Sequence, residues 1–247
     1  NPAIWSLVRA VKDLGEVTVV APAANQSGVG TALTLRTSLK INEAPSRVDG
    51  VKCYAVSGTP ADSVVLGLEH IFVGGADVVV SGINPGFNTS RNVFISGTMG
   101  AAIQAAAKGV KTCAFSMDVE GDFDDSTVKA VIAAITTELL STETERGALF
   151  NVNIPRFCDT PIEGIEGAAP APSELKSLIE SHSDGGYEII SGLAVNIDRL
   201  ELAPGTDLEV LSRNRIAISS FEGPTLAHQP EDPTLQRMIE AVKRVIG

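Results

Sequence analysis

Hydrophobic residues recur along this chain in two alternating periods. Ile4, Leu7, Val8, Val11 and Leu14 fall at helical spacing, which predicts a helix over residues 1–14. Pro2 suits its first turn. Gly15 ends it, and residues 16–21, EVTVVA, read as a buried strand stopped by Pro22. Leu33 to Ile41 and Val51 to Val56 are strand-like and could pair as an antiparallel excursion. A helix is expected from Ala61 to about Val73, and Val78-Val79-Val80 reads as a parallel strand covered on both faces. AAIQAAAKG continues a helix begun near Thr98, and Lys111 to Ser116 is a further strand. Asp125 or Ser126 caps a helix through Leu140, with Val128, Val131, Ile132, Ile135 and Leu139 inward. Leu149 to Ile154 is a strand ended by Pro155.

The regular alternation weakens after residue 156. Residues 157–186 are rich in Pro, Gly, Ser and Glu, with one helical piece, SELKSLIESH. Tyr187 to Ile190, Leu193 to Leu202 and Ile216 to Ser220 read as extended, with Thr206-Asp207 in a loop. A last helix from Pro233 to Val245 carries Leu235, Met238, Ile239, Val242 and Ile246 on one face. The sum is a three-layer, Rossmann-like α/β fold with a mostly parallel sheet. Its α/β core is expected over 1–156 and a β-rich C-terminal extension over 157–247. A chain that opens on a helix feeding a parallel strand also implies an earlier strand. The sequence is therefore expected to begin inside its fold, after a strand and loop of roughly a dozen residues.

Composition narrows the function classes. Aromatics are 4% and the formal charge of the 247 residues is -11, which disfavours nucleic-acid polymers and anionic membranes as partners. A small phosphorylated ligand is still allowed, because local charge can oppose net charge. Cys53, Cys113 and Cys158 are far apart and odd in number, which suggests reduced thiols in a cytoplasmic protein. No apolar run of about 18 residues suggests a membrane span.

The candidate chemistry lies in polar loops after predicted strands, where open α/β sheets bind ligands. Ser27 follows the first strand, Asn84 and Asn88 follow the valine run, and Ser96-Gly97-Thr98 opens a helix. Their oxygens are hard donors suited to Mg²⁺ or Mn²⁺. The backbone N–H groups of the helix start suit an anion. Two neutral oxygens bind a divalent ion weakly, so a carboxylate pair is also required. Read blandly, Asn and Gly are ordinary turn residues and Ser before a helix is an ordinary cap. No GxxxxGK[ST], HExxH or GxSxG motif is present, and the third glycine of a dinucleotide fingerprint is missing after Gly28 and Gly30.

Five stretches carry a resemblance: VVAPAANQSGVGTALTL, GTPADSV from Gly58, DVVVSGINPGFNTSRNVFISGTMG from Asp77, NVNIP from Asn151, and Gly205-Thr206-Asp207. In this order they resemble the SurE family, the survival-protein nucleotidases, over nearly the whole length. The resemblance implies a metal-dependent phosphohydrolase acting on nucleoside monophosphates, with 3′-nucleotides and polyphosphate as further substrates. It implies metal ligation by Ser27 and Asn84 together with an Asp-Asp pair placed before the first residue of this chain. Asn84 and Asn88 are then catalytic residues, and Ser96, Gly97 and Thr98 bind phosphate. The alternative is a catalytically inactive nucleotide-binding relative, because the Asp pair is not in this chain. An exchanged β-arm within 187–220 is expected to build a homodimer or homotetramer. Ala23 in place of the family's Asp, Arg91-Asn92 in place of an acidic pair, and AAPAPSELK in place of a basic stretch are departures that bear on substrate range.

Overall fold

The computed structural model describes residues 2–119, 125–143, 147–155, 161–172, 177–191, 202–221 and 230–246. Helices are α1 (Ile4–Val11), α2 (Pro60–Leu66), α3 (Gly97–Ala107), α4 (Ser126–Ser141), α5 (Asp207–Ser212) and α6 (Pro233–Ile246). Strands are β1 (Thr18–Pro22), β2 (Ile41–Glu43), β3 (Lys52–Val56), β4 (Val78–Pro85), β5 (Lys111–Met117), β6 (Leu149–Ile154), β7 (Ile165–Gly167), β8 (Ser177–Ser181), β9 (Tyr187–Ser191) and β10 (Ile216–Phe221).

The main sheet has the order β4-β5-β6-β10-β7. β4, β5 and β6 run parallel. β10 lies antiparallel to β6 and parallel to β7. The part of the chain after residue 156 is thus built into the same sheet, and α6 packs on α4. A second sheet has the order β1-β3-β2, with β1 and β3 parallel and β2 antiparallel.

Alternation along β5 and β6 separates two apolar layers. Phe115, Phe150, Val152 and Ile154 face one core with Val131, Ile132, Ile135 and Leu139 of α4 and Leu235, Met238 and Val242 of α6. Ala114, Leu149 and Phe221 face the other with Met99, Ala102 and Ala106 of α3. Each large aliphatic side chain buried this way stabilises the fold by about 1.5–3 kcal/mol. Helix α1 joins the two sheets: Leu7 and Val11 enter the main core, while Trp5 and Val8 pack on Val19 and Val48.

Several expectations are met closely. Asp125 caps α4, its Oδ1 accepting from the Val128 N–H at 2.9 Å, and all five inward residues of α4 are buried. Others are corrected. SELKSLIESH is not a helix in its described part: Ser177–Ser181 is strand β8, paired antiparallel with β9 across a turn at 182–186. A cross-strand partner overrides a local helical pattern. Residues 33–40 are irregular and only Ile41–Glu43 pairs with β3. The helix after Gly58 ends as a π-helical turn, Gly67–Ile71, short of Val73. Val78, Val79 and Val80 are half-buried, because β4 is the edge of its sheet. Asp207 begins a short helix instead of sitting in a loop. The strand expected over 193–202 lies outside the described residues but for Leu202. Cys53 and Cys113 are free thiols, while Cys158 is outside the described residues. Among the described residues no helix is long and apolar enough to cross a membrane.

Candidate functional site

The parallel strands β1, β4, β5 and β6 end at Pro22, Pro85, Met117 and Ile154. The three loops singled out above meet at this edge around the start of α3. Ser96 is the N-cap, its Oγ accepting from the Met99 N–H at 3.2 Å. Helix geometry then leaves the N–H groups of Gly97 and Thr98 without intrahelical partners, at the positive end of the dipole. Ala101, Ala102, Ala105 and Ala106 let the helix lie flat on the sheet.

Small residues bring the Ser27 loop onto this helix. The Gly30 N–H donates to the Ile95 carbonyl at 2.8 Å. A Cβ on Gly100 would collide with the Gly30 carbonyl oxygen, and one on Gly97 would crowd Gln26 and Val29. Gly30 is also at φ 56°, where a side chain is disfavoured. Ser27 itself is exposed, its hydroxyl donating to Asn25 Oδ1 at 3.1 Å.

Asn84 meets the same helix from the other side. Its Nδ2 donates to the Gly86 carbonyl at 2.7 Å. That commits the nitrogen to the loop and turns Oδ1 toward Thr98, whose hydroxyl donates to it at 3.3 Å. Asn84 follows an interruption of β4 at Gly82-Ile83, after which pairing with β5 resumes at Asn84 and Ser116.

Asn88 is placed differently from its neighbours. It is buried. Its Nδ2 donates to Ser116 Oγ at 2.6 Å and its N–H donates to Asn153 Oδ1 at 2.8 Å. Its carbonyl accepts from Asn151 Nδ2 at 2.8 Å and Asn153 Nδ2 at 3.2 Å. Its side-chain nitrogen and its backbone thus hold the loop against β5 and β6. Thr89 Oγ1 and Asn92 Oδ1, buried in the same loop, have no hydrogen-bond partner among the described residues.

Sequence reasoning assigned no role to four supporting residues. Asn151 and Asn153 alternate within LFNVNI, and a polar pair on one face of a fully buried strand is the signal that marks them. Asp62 forms a capping box with Thr59 and also accepts from the Thr34 N–H at 2.9 Å and Thr34 Oγ1 at 2.7 Å. Burial pushes its carboxyl up, but the bonds from Thr59 and Thr34 together bring it below the ordinary value. Asp207 Oδ2 accepts from the Ser90 N–H at 2.7 Å, and Oδ1 accepts from Ala171 N–H at 3.0 Å and Leu208 N–H at 2.8 Å.

The donor set fits part of a hard-cation site. Asn84 Oδ1 accepts one long bond and Ser27 Oγ faces solvent, and both are oxygens of the kind Mg²⁺ or Mn²⁺ takes. Among the described residues no three His, Cys, Asp or Glu are grouped to hold a metal, so the charge such an ion needs is not supplied by them.

Comparison with known proteins agrees with this architecture. Residues 1–176 match the family model described as survival protein SurE. A protein of Cytophaga hutchinsonii named 5′-nucleotidase SurE is 35% identical over 92% of this chain and 88% of its own length. One of the same name from Flavobacterium johnsoniae is 37% identical, again over 92% and 88%. The crystal structure of a SurE protein from Aquifex aeolicus covers 90% of this chain and 88% of its own, with TM-score 0.69 and 27% identity.

Proposed function

The chain belongs to the SurE family, and from that premise we propose that it is a nucleotidase, a phosphomonoester hydrolase that releases phosphate from nucleoside 5′-monophosphates. One observation carries the reading: Asn84 Oδ1 and the Thr98 hydroxyl lie together at the start of α3, against the Ser27 loop. In this reading the N–H groups of Gly97 and Thr98, with the Thr98 hydroxyl, hold the phosphoryl oxygens. Ser96 keeps its hydroxyl on Met99 and so fixes the helix start. Asn84 and Ser27 would hold Mg²⁺ or Mn²⁺ together with carboxylates, as the family resemblance implies. The chemistry such an ion supplies is charge neutralisation on the phosphoryl group and activation of water. Asn88 shapes the loop through its Nδ2 and its backbone, and its Oδ1 is the atom left to act at the site. Phosphoryl transfer needs positioning and charge neutralisation more than covalent help from the protein, and this set provides the positioning.

Asn84→Ala, assayed with Mn²⁺ or Mg²⁺ and a nucleoside monophosphate, is expected to lose well over tenfold in turnover. Unchanged turnover by a folded variant would sink the assignment. The same assay with 3′-nucleotides and polyphosphate measures the breadth of the activity. A second reading, nucleotide binding without turnover, uses the same N–H groups of Gly97 and Thr98 at the start of α3. Equilibrium binding of a nucleoside monophosphate with no phosphate release would select it. We also propose a homodimer or homotetramer built through the β8-β9 hairpin, which exposes Ile179 and Tyr187. Light scattering on a chain in which the hairpin residues 177–191 are replaced by a short Gly-Ser linker, leaving α5 and β10 in place, tests that arm, and unchanged oligomeric size removes it.

A further inference from the structure

We propose that Asp207 is a positioning residue of this site, fixing the 86–92 loop through Ser90 and so setting where Asn84 and Asn88 lie. The proposal rests on the nucleotidase reading for its kinetic consequences, but its geometric content stands apart. Ser90 and Asp207 are 117 residues apart in sequence. The first half of the loop between β4 and α3, residues 86–90, is held at three points. At its start the Gly86 N–H donates to the Met117 carbonyl at 2.8 Å. In its middle Asn88 is gripped by Ser116, Asn151 and Asn153. At its far end the Ser90 N–H donates to Asp207 Oδ2.

That last point is the demanding one. Ser90 has φ 52°, a left-handed conformation that a serine adopts only where its surroundings impose it. Asp207 is in turn immobilised from below. Its N–H donates to the Ala169 carbonyl at 2.8 Å, and the Ala169 N–H to the Gly205 carbonyl at 3.0 Å. Ala168 N–H donates to Ile218 of β10 at 2.9 Å, so the carboxylate is referenced to the main sheet.

A helix can be capped by a neutral side chain, and a fully buried carboxylate is an expensive choice for that task alone. A charged acceptor binds an N–H roughly twice as strongly as a neutral one, which is what a strained Ser90 requires. The charged groups nearby are committed elsewhere or face solvent. On α5, Glu209 pairs with Arg213; on β7, Glu166 pairs with Arg213 and Arg215; in the loop, Arg91 is exposed. Burial pushes the Asp207 carboxyl up to about 6, against the pull of its backbone donors. Loss of charge in mildly acid solution therefore weakens the grip on Ser90.

The test compares wild type with Asp207→Asn, which keeps the side-chain shape, and with Asp207→Ala. Hydrogen exchange is read at the amides of 86–92, and kcat and KM for a nucleoside monophosphate with Mn²⁺ from about pH 5 to about pH 8. In Asp207→Asn, protection at 86–92 is expected to fall by about tenfold or more while β5 and β6 keep theirs. The kcat is expected to drop about tenfold or more with KM changed under about threefold, and the acid limb of the wild-type profile near the Asp207 pKa to flatten. Asp207→Asn that is folded, with wild-type protection at 86–92 and wild-type kcat, overturns the proposal. A wild type that releases no phosphate overturns the nucleotidase reading instead, and the exchange experiment still decides the role of Asp207.

Discussion

Two buried carboxylates do the same mechanical task on opposite sides of the site, and their environments push them in opposite directions. Asp62 ties the segment after the Ser27 loop to the start of α2. Asp207 ties the loop after β4 to the start of α5. Asp62 has hydroxyl and backbone donors from Thr34 and Thr59, both partly exposed, and its carboxyl ends below the ordinary value. Asp207 has backbone donors alone, and Ser90, Ala171 and Leu208 around it are all buried. There the loss of solvent outweighs the bonds, and the carboxyl rises to about 6. The lesson is that counting hydrogen bonds does not rank two carboxylates; the depth at which the bonds are made does.

The strongest way to break this comparison is to truncate both. Asp207→Ala leaves three buried N–H groups without their acceptor and is expected to lower unfolding stability by about 3–5 kcal/mol. Asp62→Ala exposes its donors to water and is expected to lose about 1–2 kcal/mol. Urea unfolding at neutral pH measures both, and equal losses would erase the distinction.

Linkage sharpens it. The native Asp207 carboxyl holds its proton where the unfolded chain, near the ordinary 3.8, has lost it. Its contribution is therefore full below about pH 4 and is lost as pH rises through about 6, by on the order of 3 kcal/mol. Asp62 has the reverse sign: its contribution is present above the ordinary value and lost as pH falls through the native one. Stability of wild type relative to Asp207→Asn should fall as pH rises from about 4 to about 6, and relative to Asp62→Asn it should rise with pH below the ordinary value of 3.8 and stay flat above it. Parallel slopes would show that the two environments are alike.

Gly100→Ala probes the contact between the loop fixed through Asp62 and α3. The added methyl meets the Gly30 carbonyl, and a loss of about 1–3 kcal/mol is expected with nucleotide turnover reduced alongside. Wild-type stability and turnover would show that the two loops need not touch. The smallest effect is expected at Glu166, a carboxylate about one third exposed that binds Arg213 and Arg215. Glu166→Gln should cost under about 1 kcal/mol and less in high salt, the exposed control for the two buried acids.

Much of this was legible in the sequence. Helical and strand periods found α4, α6, β5 and β6 because each buries a regular face against a continuous core. The plainer of the two readings of Ser96, a helix cap and not a phosphate ligand, is where the structure puts its hydroxyl, because capping is decided within four residues. What escaped was decided at a distance. Residues 177–181 carry a helical pattern, yet pair with 187–191. The partners of Asn88 were equally invisible, since its Nδ2 and its backbone bind residues 28 to 65 positions away. Asp207 looked like a loop residue because its acceptor role depends on a loop 117 residues earlier.

That separation has a consequence for synthesis. The loop holding Asn84 and Asn88 leaves the ribosome long before its anchor exists. At about 5–20 residues per second, 117 residues take on the order of ten seconds. β10, which lies between β6 and β7, arrives later still. A nascent chain can therefore assemble β4, β5 and β6 while Ser90 waits for its carboxylate. The hydrogen bond that holds Ser90 is then made only after the segment carrying Asp207 has emerged, so this loop takes its final form later than the strands beside it.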